Sequence, residues 1–222
     1  MTSFLHNGDL GDIIYCLPSI RALGGGVLYL DINDTTKFNI IGYQMIKRLL
    51  IEQDYIEDVK LYVMGNKIDY DLTEFRRLPN MHNTNLCKQH LTYCGLPSHH
   101  KDTKWLGNEV TDGNSVIINR SVRYHAKSFN WKGVLEAYPE AKFVGADEDY
   151  DEFVEEFGQV ERLIIKDFKE LADYISRCKI FIGNQSLPYA IAEGLKKKAI
   201  LEVSEFSPNC IFEREGLKYG FN

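Results

Sequence analysis

The chain has 222 residues, a formal net charge of −6, 44% hydrophobic residues and 26% charged residues. This composition excludes a disordered chain, and the length permits one large domain or two small ones. The acidic balance excludes a broad basic surface for nonspecific nucleic-acid binding, although it leaves room for a local basic groove.

The N-terminus MTSFLHNGD has no basic region followed by a long apolar stretch, and no apolar run in the sequence approaches about 20 residues. We therefore expect neither a secretory signal nor a membrane span. The 5 cysteines are odd in number and form no Cys-x-x-Cys pair. This usage predicts free thiols and a cytoplasmic location.

Strands and helices alternate through the first half of the sequence. Apolar residues ending at His6 predict a first strand, which the loop NGDLGD connects to a helix from about Asp12 to Leu23. The glycines at 24–26 break that helix, and VLYLDI predicts a buried second strand. A helix over residues 37–52, a strand at IEDVKLYV and a short helix in NLCKQHLTYCGLP follow.

The second half shows the same alternation. Residues 100–114 are polar and rich in turn-forming residues, which predicts a linker. After it, the strands SVIINRS, AKFVGA, RLIIK, IFIGNQS and AILEV alternate with the helices NWKGVLEAYP, DEDYDEFVEEFG, FKELADYISRCK and LPYAIAEGLK. Such alternation is typical of parallel α/β sheets. We therefore expect an α/β protein with two Rossmann-type α/β/α domains facing a cleft, over residues 1–107 and 108–222.

A segment rich in histidine and cysteine lies before the linker: His82, Cys87, His90, Cys94, His99 and His100. The spacing Cys87-x2-His90-x3-Cys94 is compatible with zinc ligands. His90 and Cys94, together with Leu86 and Leu91, also recur at the spacing of a buried helix face. We prefer this second interpretation, because cysteines on such a face usually pack as small hydrophobic residues.

Basic residues follow the first strand of the second half. In parallel α/β sheets, ligands bind beyond the carboxyl ends of the strands. Arg120 and Arg123 come directly after SVIIN, with Lys127 a little later. Arginine is a natural partner of phosphate because its guanidinium donates paired, charge-assisted hydrogen bonds. A solvated basic loop is the alternative, but the position at a strand end favours a phosphate site.

A second turn, IGNQSLPYAIAEG, carries the polar residues of a helix start: Gly183, Asn184, Gln185 and Ser186. Gly183 permits a tight turn, and Gln185 or Ser186 lies near the N-cap of the next helix. Backbone N–H groups and the helix dipole favour an anion there. Ordinary capping explains the same residues, so the turn predicts a phosphate site only in combination with the arginines.

Acidic residues start the helix of FVGADEDYDEF. Asp147, Glu148 and Asp149 resemble a metal-binding triplet. We favour the alternative, in which they complement the positive end of the helix dipole.

Two Gly-Asp pairs precede the first helix: Gly8-Asp9 and Gly11-Asp12. The motif is neither Gly-x-Gly-x-x-Gly nor a phosphate-binding loop, since no Gly-Lys-Ser/Thr follows. An aspartate at a helix start is held ionised by the dipole and suits a general base. A capping aspartate without chemistry is the alternative, and this stretch by itself favours it.

Three stretches together resemble the heptosyltransferase-like glycosyltransferases, the ADP-heptose:lipopolysaccharide heptosyltransferase family of GT-B fold. GDLGDIIYCLPSIRAL is similar to the N-terminal signature of that family. FKELADYISRCKIFIGNQSLPYAIAEGLKKKAILEV is similar to its C-terminal signature, and NLCKQHLTYCGLP to the helix that closes its first domain. The resemblance covers most of the chain in order.

The resemblance implies a metal-independent, inverting glycosyltransferase that uses a nucleoside diphosphate sugar as donor substrate and no further cofactor. It implies that Asp12 is the catalytic base, and Asp9 is the reserve candidate. It assigns the diphosphate to the second half of the chain, through the positions Arg120, Arg123, Lys127 and Ser186 and the neighbouring backbone N–H groups.

One turn departs from the family pattern, since Gln185-Ser186-Leu187 replaces Asp-Ser/Thr-Gly and Ala190 replaces a histidine. This departure favours a second hypothesis, a catalytically inactive module that binds a nucleotide sugar. An epimerase is disfavoured by the absence of Gly-x-Gly-x-x-Gly. The acceptor stays open among a glycan, a small molecule and a modified nucleic-acid base, as does the oligomeric state. No integral membrane association is expected.

Overall fold

The computed structural model describes residues 1–32, 38–80 and 82–220. Within these residues the N-terminal half forms one parallel sheet, whose strands are arranged in the order β3-β2-β1-β4. We call it the N-terminal sheet, and its strands are β1 (Ser3–His6), β2 (Gly26–Leu30), β3 (Ile56–Leu61) and β4 (Tyr70–Asp71).

The helices of this half are α1 (Leu10–Ala22), α2 (Ile40–Ile51) and α3 (Leu86–Tyr93), with 3-10 helices at Leu72–Arg77 and Ser98–Lys101. The side chains of Asn39 and Asn85 cap α2 and α3 by accepting backbone N–H bonds. Helix α1 begins two residues earlier than predicted, which places Asp12 in its first turn. Lys37, the predicted start of α2, lies outside the described residues.

The C-terminal sheet contains six parallel strands in the order β10-β9-β8-β5-β6-β7. Its strands are β5 (Val116–Asn119), β6 (Lys142–Phe143), β7 (Glu161–Arg162), β8 (Ile180–Asn184), β9 (Ala199–Glu202) and β10 (Leu217–Gly220). The sequence did not predict β10, whose residues form a strand by pairing with β9. Strand β7 shares only Arg162 with the predicted strand RLIIK, because it pairs with just the two residues of β6, through Glu161 and Arg162.

The helices between these strands are α4 (Trp131–Ala137), α5 (Asp147–Phe157), α6 (Phe168–Arg177) and α7 (Leu187–Gly194). The predicted alternation of parallel strands and helices is confirmed. None of the described helices is long and apolar enough to cross a lipid bilayer.

The predicted linker carries two buried side chains, Trp105 and Leu106. Their backbone N–H groups both donate to the carbonyl of Gly194, at the end of α7. A single hydrophobic cluster also contains buried residues from both halves, because α1 packs against α7 and α2 packs against α6. The two sheets are therefore joined by a shared core, and the division at residues 107 and 108 stays a prediction.

The buried-face interpretation of the histidine- and cysteine-rich segment is confirmed. Leu86, His90 and Leu91 are buried in α3, and Cys94 is half-buried. All 5 cysteines of the sequence are free thiols.

Candidate functional site

The loop between β1 and α1 is a sharp turn whose shape depends on Gly8. A Cβ at this position would lie 2.3 Å from Arg76 Nη2 and 2.5 Å from His6 Cε1, so a larger residue would displace these two side chains. Asp9 is the N-cap of α1, and its backbone carbonyl accepts hydrogen bonds from Asp12 and Ile13. The turn thus delivers two carboxylates, Asp9 and Asp12, to the same edge of the N-terminal sheet.

Asp12 lies in a largely buried pocket and is paired with a cation. Its side chain is 18% exposed, and Arg76 Nη2 donates to Oδ2 over 2.7 Å. Burial raises the pKa of Asp12 to about 6, although the charge of Arg76 acts in the opposite direction. No described residue donates a hydrogen bond to Oδ1. A carboxylate with this pKa is ionised at neutral pH and can accept a proton, as a general base requires.

Sequence reasoning missed Arg76. It comes from the 3-10 helix Leu72–Arg77, and 64 positions separate it from Asp12. Nothing in the local pattern LTEFRRL distinguishes it from Arg77, whose side chain is exposed and paired with Glu74.

Two buried histidines lie behind this ion pair. The rings of His6 and His90 are 5.2 Å apart, and His90 also lies against the ring of Phe75 at 3.9 Å. Burial lowers the pKa of His6 to about 3 and the pKa of His90 far below its usual value. Both imidazoles are therefore neutral at physiological pH, and Arg76 supplies the positive charge beside Asp12.

The structure does not bring Arg120 to the same place. Its side chain is 6% exposed, with Nε 3.3 Å from the carboxylate of Glu202 and Nη1 2.7 Å from Glu156. Glu202 is fully buried and needs a neutralising cation, because an unpaired buried charge is strongly destabilising. Arg120 thus stabilises the interior of the C-terminal half, which corrects the prediction that it faces a phosphate. Lys127 is exposed and lines neither cavity described below.

Arg123 does reach the N-terminal half. Its Nη1 lies 3.3 Å from Oδ2 of Asp9, and both side chains are about half-exposed. Asn184 shapes the loop that carries it, because its Nδ2 donates to the carbonyls of Ser121 and Arg123 while its Oδ1 accepts the N–H of Ser121. The next residue, Tyr124, has a φ of +62°, a left-handed conformation that is strained for a bulky side chain.

The turn after β8 contains residues that pack in the interior and one residue, Ser186, that lines both cavities described below. Gly183 is required because a Cβ would lie 2.6 Å from the carbonyl of Asn119 in the neighbouring strand. Gln185 is buried, and its amide bonds the backbone of Ser204 and Ser207. Ser186, at the N-cap of α7, turns its hydroxyl to Asn119 Oδ1 at 2.5 Å and does not cap the helix.

The first turns of α1 and α7 face each other. The backbone nitrogen of Leu187 lies 4.0 Å from the position that a Cβ on Gly11 would take. Two helix starts therefore meet where the sheets approach each other, and the positive ends of both dipoles point at one region.

Two cavities open on either side of these helix starts. The first has a volume of about 370 Å³, and Asp12, Arg76, His82 and Tyr124 line it. The second has a volume of about 870 Å³ and a largely apolar wall, to which Phe38, Ile41, Met45, Leu163, Ile164 and Phe168 contribute. Both volumes are typical of small-molecule sites. The residues common to both cavities, which we call the shared rim, are Asp9, Gly11, Arg123, Ser186 and Leu187.

The acidic residues at the start of α5 border the second cavity, and two of them form structural contacts within the protein. Asp149 accepts hydrogen bonds from the backbone of Val122 and Ala146, and Asp147 forms an ion pair with Arg162. The interpretation of these residues as helix-start acids is confirmed. Among the described residues, no three His, Cys, Asp or Glu side chains are grouped as metal ligands.

Several solved glycosyltransferase structures are similar to this chain. E. coli heptosyltransferase WaaC with ADP-2-deoxy-2-fluoro heptose matches with a TM-score of 0.55 and 11% identity, over 98% of this chain and 92% of that one. The glycosyltransferase family 9 protein from Veillonella parvula DSM 2008 gives 0.55 and 12%, over 98% and 84%. The iron-containing dodecameric glycosyltransferase TibC from enterotoxigenic E. coli H10407 gives 0.62 and 12%, over the whole of this chain and 62% of that one.

No family model and no curated protein sequence matches the chain. At identities this low the similarity establishes the fold alone. The GT-B-like α/β fold expected from the resemblance is therefore confirmed, together with the structural similarity to heptosyltransferases.

Proposed function

We propose that this protein is a glycosyltransferase that moves a sugar from a nucleoside diphosphate sugar to an acceptor hydroxyl, with inversion and without a metal ion. One observation carries the proposal: the two cavities meet at the shared rim, and Asp12 lines only the smaller one. A base on one side and a site for the leaving group on the other give the geometry of a single in-line displacement.

The donor occupies the larger cavity. Its apolar wall suits a nucleobase, and the shared rim places the diphosphate against Arg123 and the first turn of α7. The hydroxyl of Ser186 is turned towards Asn119, so the N–H groups of Leu187 and Tyr189 are left to an anion, whereas Pro188 between them has no N–H. WaaC was solved both with ADP and with an ADP-sugar, which supports a nucleoside diphosphate sugar as the donor class.

The acceptor occupies the smaller cavity beside Asp12. Arg76 binds Oδ2 of this aspartate, and Oδ1 takes the proton of the attacking hydroxyl. The acceptor oxygen then bonds to the anomeric carbon as the bond from that carbon to the diphosphate oxygen breaks. The electron pair leaves with the diphosphate, whose growing charge Arg123 and the α7 start stabilise. These groups supply the positive charge for the leaving group, and for this reason we propose a reaction without a metal ion.

Binding and turnover measured on matched variants test the proposal. Calorimetry with nucleoside diphosphates is followed by transfer assays with the corresponding sugars and a panel of glycan, small-molecule and modified-base acceptors. Asp12→Asn should bind the diphosphate like the wild type and lose transfer by about 100-fold or more. Arg123→Met should weaken diphosphate binding.

Asp58→Asn is the control for removing a paired carboxylate, because Asp58 is 40% exposed, pairs with Lys60 over 3.4 Å and lies on β3 outside both cavities. It should leave binding and transfer unchanged. Binding without turnover on any acceptor would favour the inactive module instead. Full activity in Asp12→Asn would remove Asp12 from its assigned role.

A further inference from the structure

We infer that Asp9 is an internal competitor of the donor: in the free protein its carboxylate holds the position on Arg123 that the diphosphate takes on binding. This inference rests on the proposed donor site. It gives the first aspartate of the Gly-Asp-Leu-Gly-Asp turn a role distinct from that of Asp12, as the residue that sets donor affinity and helps to release the diphosphate product.

The side chain of Asp9 does not do what its position predicts. An aspartate at an N-cap normally accepts a hydrogen bond from the N–H of the second or third helical residue. Asp9 makes no such bond, and its backbone carbonyl alone meets the first turn of α1. The carboxylate instead extends to Arg123, across 114 positions of sequence, and so connects the N-terminal half to the loop after β5.

The Asp9–Arg123 pair is suited to exchange. Its atoms are 3.3 Å apart, and the side chains are 40% and 46% exposed, so water and ions reach both. Exposed pairs of this kind are weak. A diphosphate offers more charge and more acceptor oxygens than one carboxylate, and it can form a bidentate contact with the guanidinium.

Arg120 provides the contrast within the same loop. Its partner Glu202 is fully buried and also accepts hydrogen bonds from Trp131 and from the backbone of Ala126. That carboxylate cannot leave without uncovering a buried charge. Arg120 also pairs with the half-exposed Glu156, but its own side chain is 6% exposed and out of reach of a ligand. Of the two arginines, only Arg123 is therefore open to exchange of its partner for a ligand.

Both possible occupants of Arg123 meet at the shared rim. Asp9 and Arg123 line both cavities, and the starts of α1 and α7 lie beside them. When the diphosphate binds, Asp9 is repelled by the ligand and loses its partner. When the product is to leave, the carboxylate again competes for the guanidinium. Removing its charge should therefore tighten diphosphate binding and slow product release.

The test is a double-mutant cycle on diphosphate affinity. Calorimetry uses inorganic pyrophosphate and the tightest-binding of ADP, GDP, UDP and CDP as probes. Asp9→Asn should bind them up to about five-fold more tightly than the wild type, the gain expected from removing one exposed ion pair. Arg123→Met should bind these probes more weakly than the wild type. Adding Asp9→Asn to Arg123→Met should not increase the affinity further, because the guanidinium for which Asp9 and the diphosphate compete is then absent.

Each alternative outcome contradicts a different statement. If Asp9→Asn binds no more tightly while Arg123→Met binds more weakly, the donor site stands and the inference is wrong. If the gain persists in the Arg123→Met background, it is general charge repulsion, and the inference is again wrong. The matched control Asp58→Asn should show no gain. If no variant binds any diphosphate, the proposed donor site fails and the inference falls with it.

Discussion

Replacing Asp12 with asparagine should stabilise the protein at neutral pH. The folded protein holds this carboxyl at a pKa of about 6, whereas an unfolded chain holds an aspartate near ~3.9. Two pKa units correspond to about 2.7 kcal/mol of destabilisation above pH 6. Asparagine keeps the shape and removes the buried charge. Arg76 loses its partner but is 31% exposed and stays hydrated, so the net gain should be about 1–2 kcal/mol.

The gain should depend on pH with a definite sign. Because the folded pKa of Asp12 lies above the unfolded value, the folded wild type binds this proton more tightly. Binding of this proton stabilises the folded wild type. This stabilisation is fully present below about pH 4 and is lost as the pH rises through 6. The variant does not titrate here. The difference between the two proteins should therefore be near zero below pH 4 and complete above pH 7.

Urea unfolding of both proteins between pH 4 and pH 8, followed by circular dichroism, measures this difference. Asp58→Asn, which removes an exposed carboxylate, should show no comparable trend. If Asp12→Asn is less stable than the wild type at pH 7, the ion pair with Arg76 outweighs the burial of the carboxylate. That result would refute the reasoning that burial of the Asp12 carboxylate raises its pKa and thereby lowers the stability of the folded protein.

Three further predictions concern the same region. The kcat/KM for transfer should rise with pH through an apparent pKa of about 6, which is that of Asp12. Arg76→Gln should move this apparent pKa upward, because the charge of Arg76 lowers the pKa of Asp12. The pH profile of kcat/KM measures both effects. Glu202→Gln should destabilise the protein by about 3 kcal/mol in urea unfolding, since it removes the buried carboxylate and leaves Arg120 with only the half-exposed Glu156 as its close partner. Tyr124→Gly should raise stability by up to about 1 kcal/mol by relieving the left-handed backbone, while the acceptor KM rises because the smaller cavity loses a wall.

Much of the fold was predictable from local pattern. Alternating apolar runs and helical periodicities indicated every described strand except β4 and β10, and every described α-helix, to within a few residues at their ends. Strand β10 has little signal of its own, since LKYG is short and becomes a strand only beside β9. The segment predicted as a polar linker differs from that prediction at Trp105 and Leu106, which are buried against the end of α7.

The candidate site was predictable in part. The sequence indicated the turn that presents Asp12 and the helix start at Ser186, because glycines, caps and apolar runs act on their immediate neighbours. It did not distinguish Arg120 from Arg123, which follow the same strand three residues apart.

The tertiary structure decided between the two arginines. Buried Glu202, 82 positions from Arg120, draws that guanidinium inward, whereas Asp9 meets Arg123 at the shared rim. The tertiary structure also brings Arg76 to Asp12, although 64 positions of sequence separate the two residues. Backbone conformation follows from residues close along the chain, but the partner of a charge depends on which distant side chains the fold brings out of water together. The sequence therefore determined where the helices and turns of the site lie, and only the packed structure determined which of its charges line the two cavities.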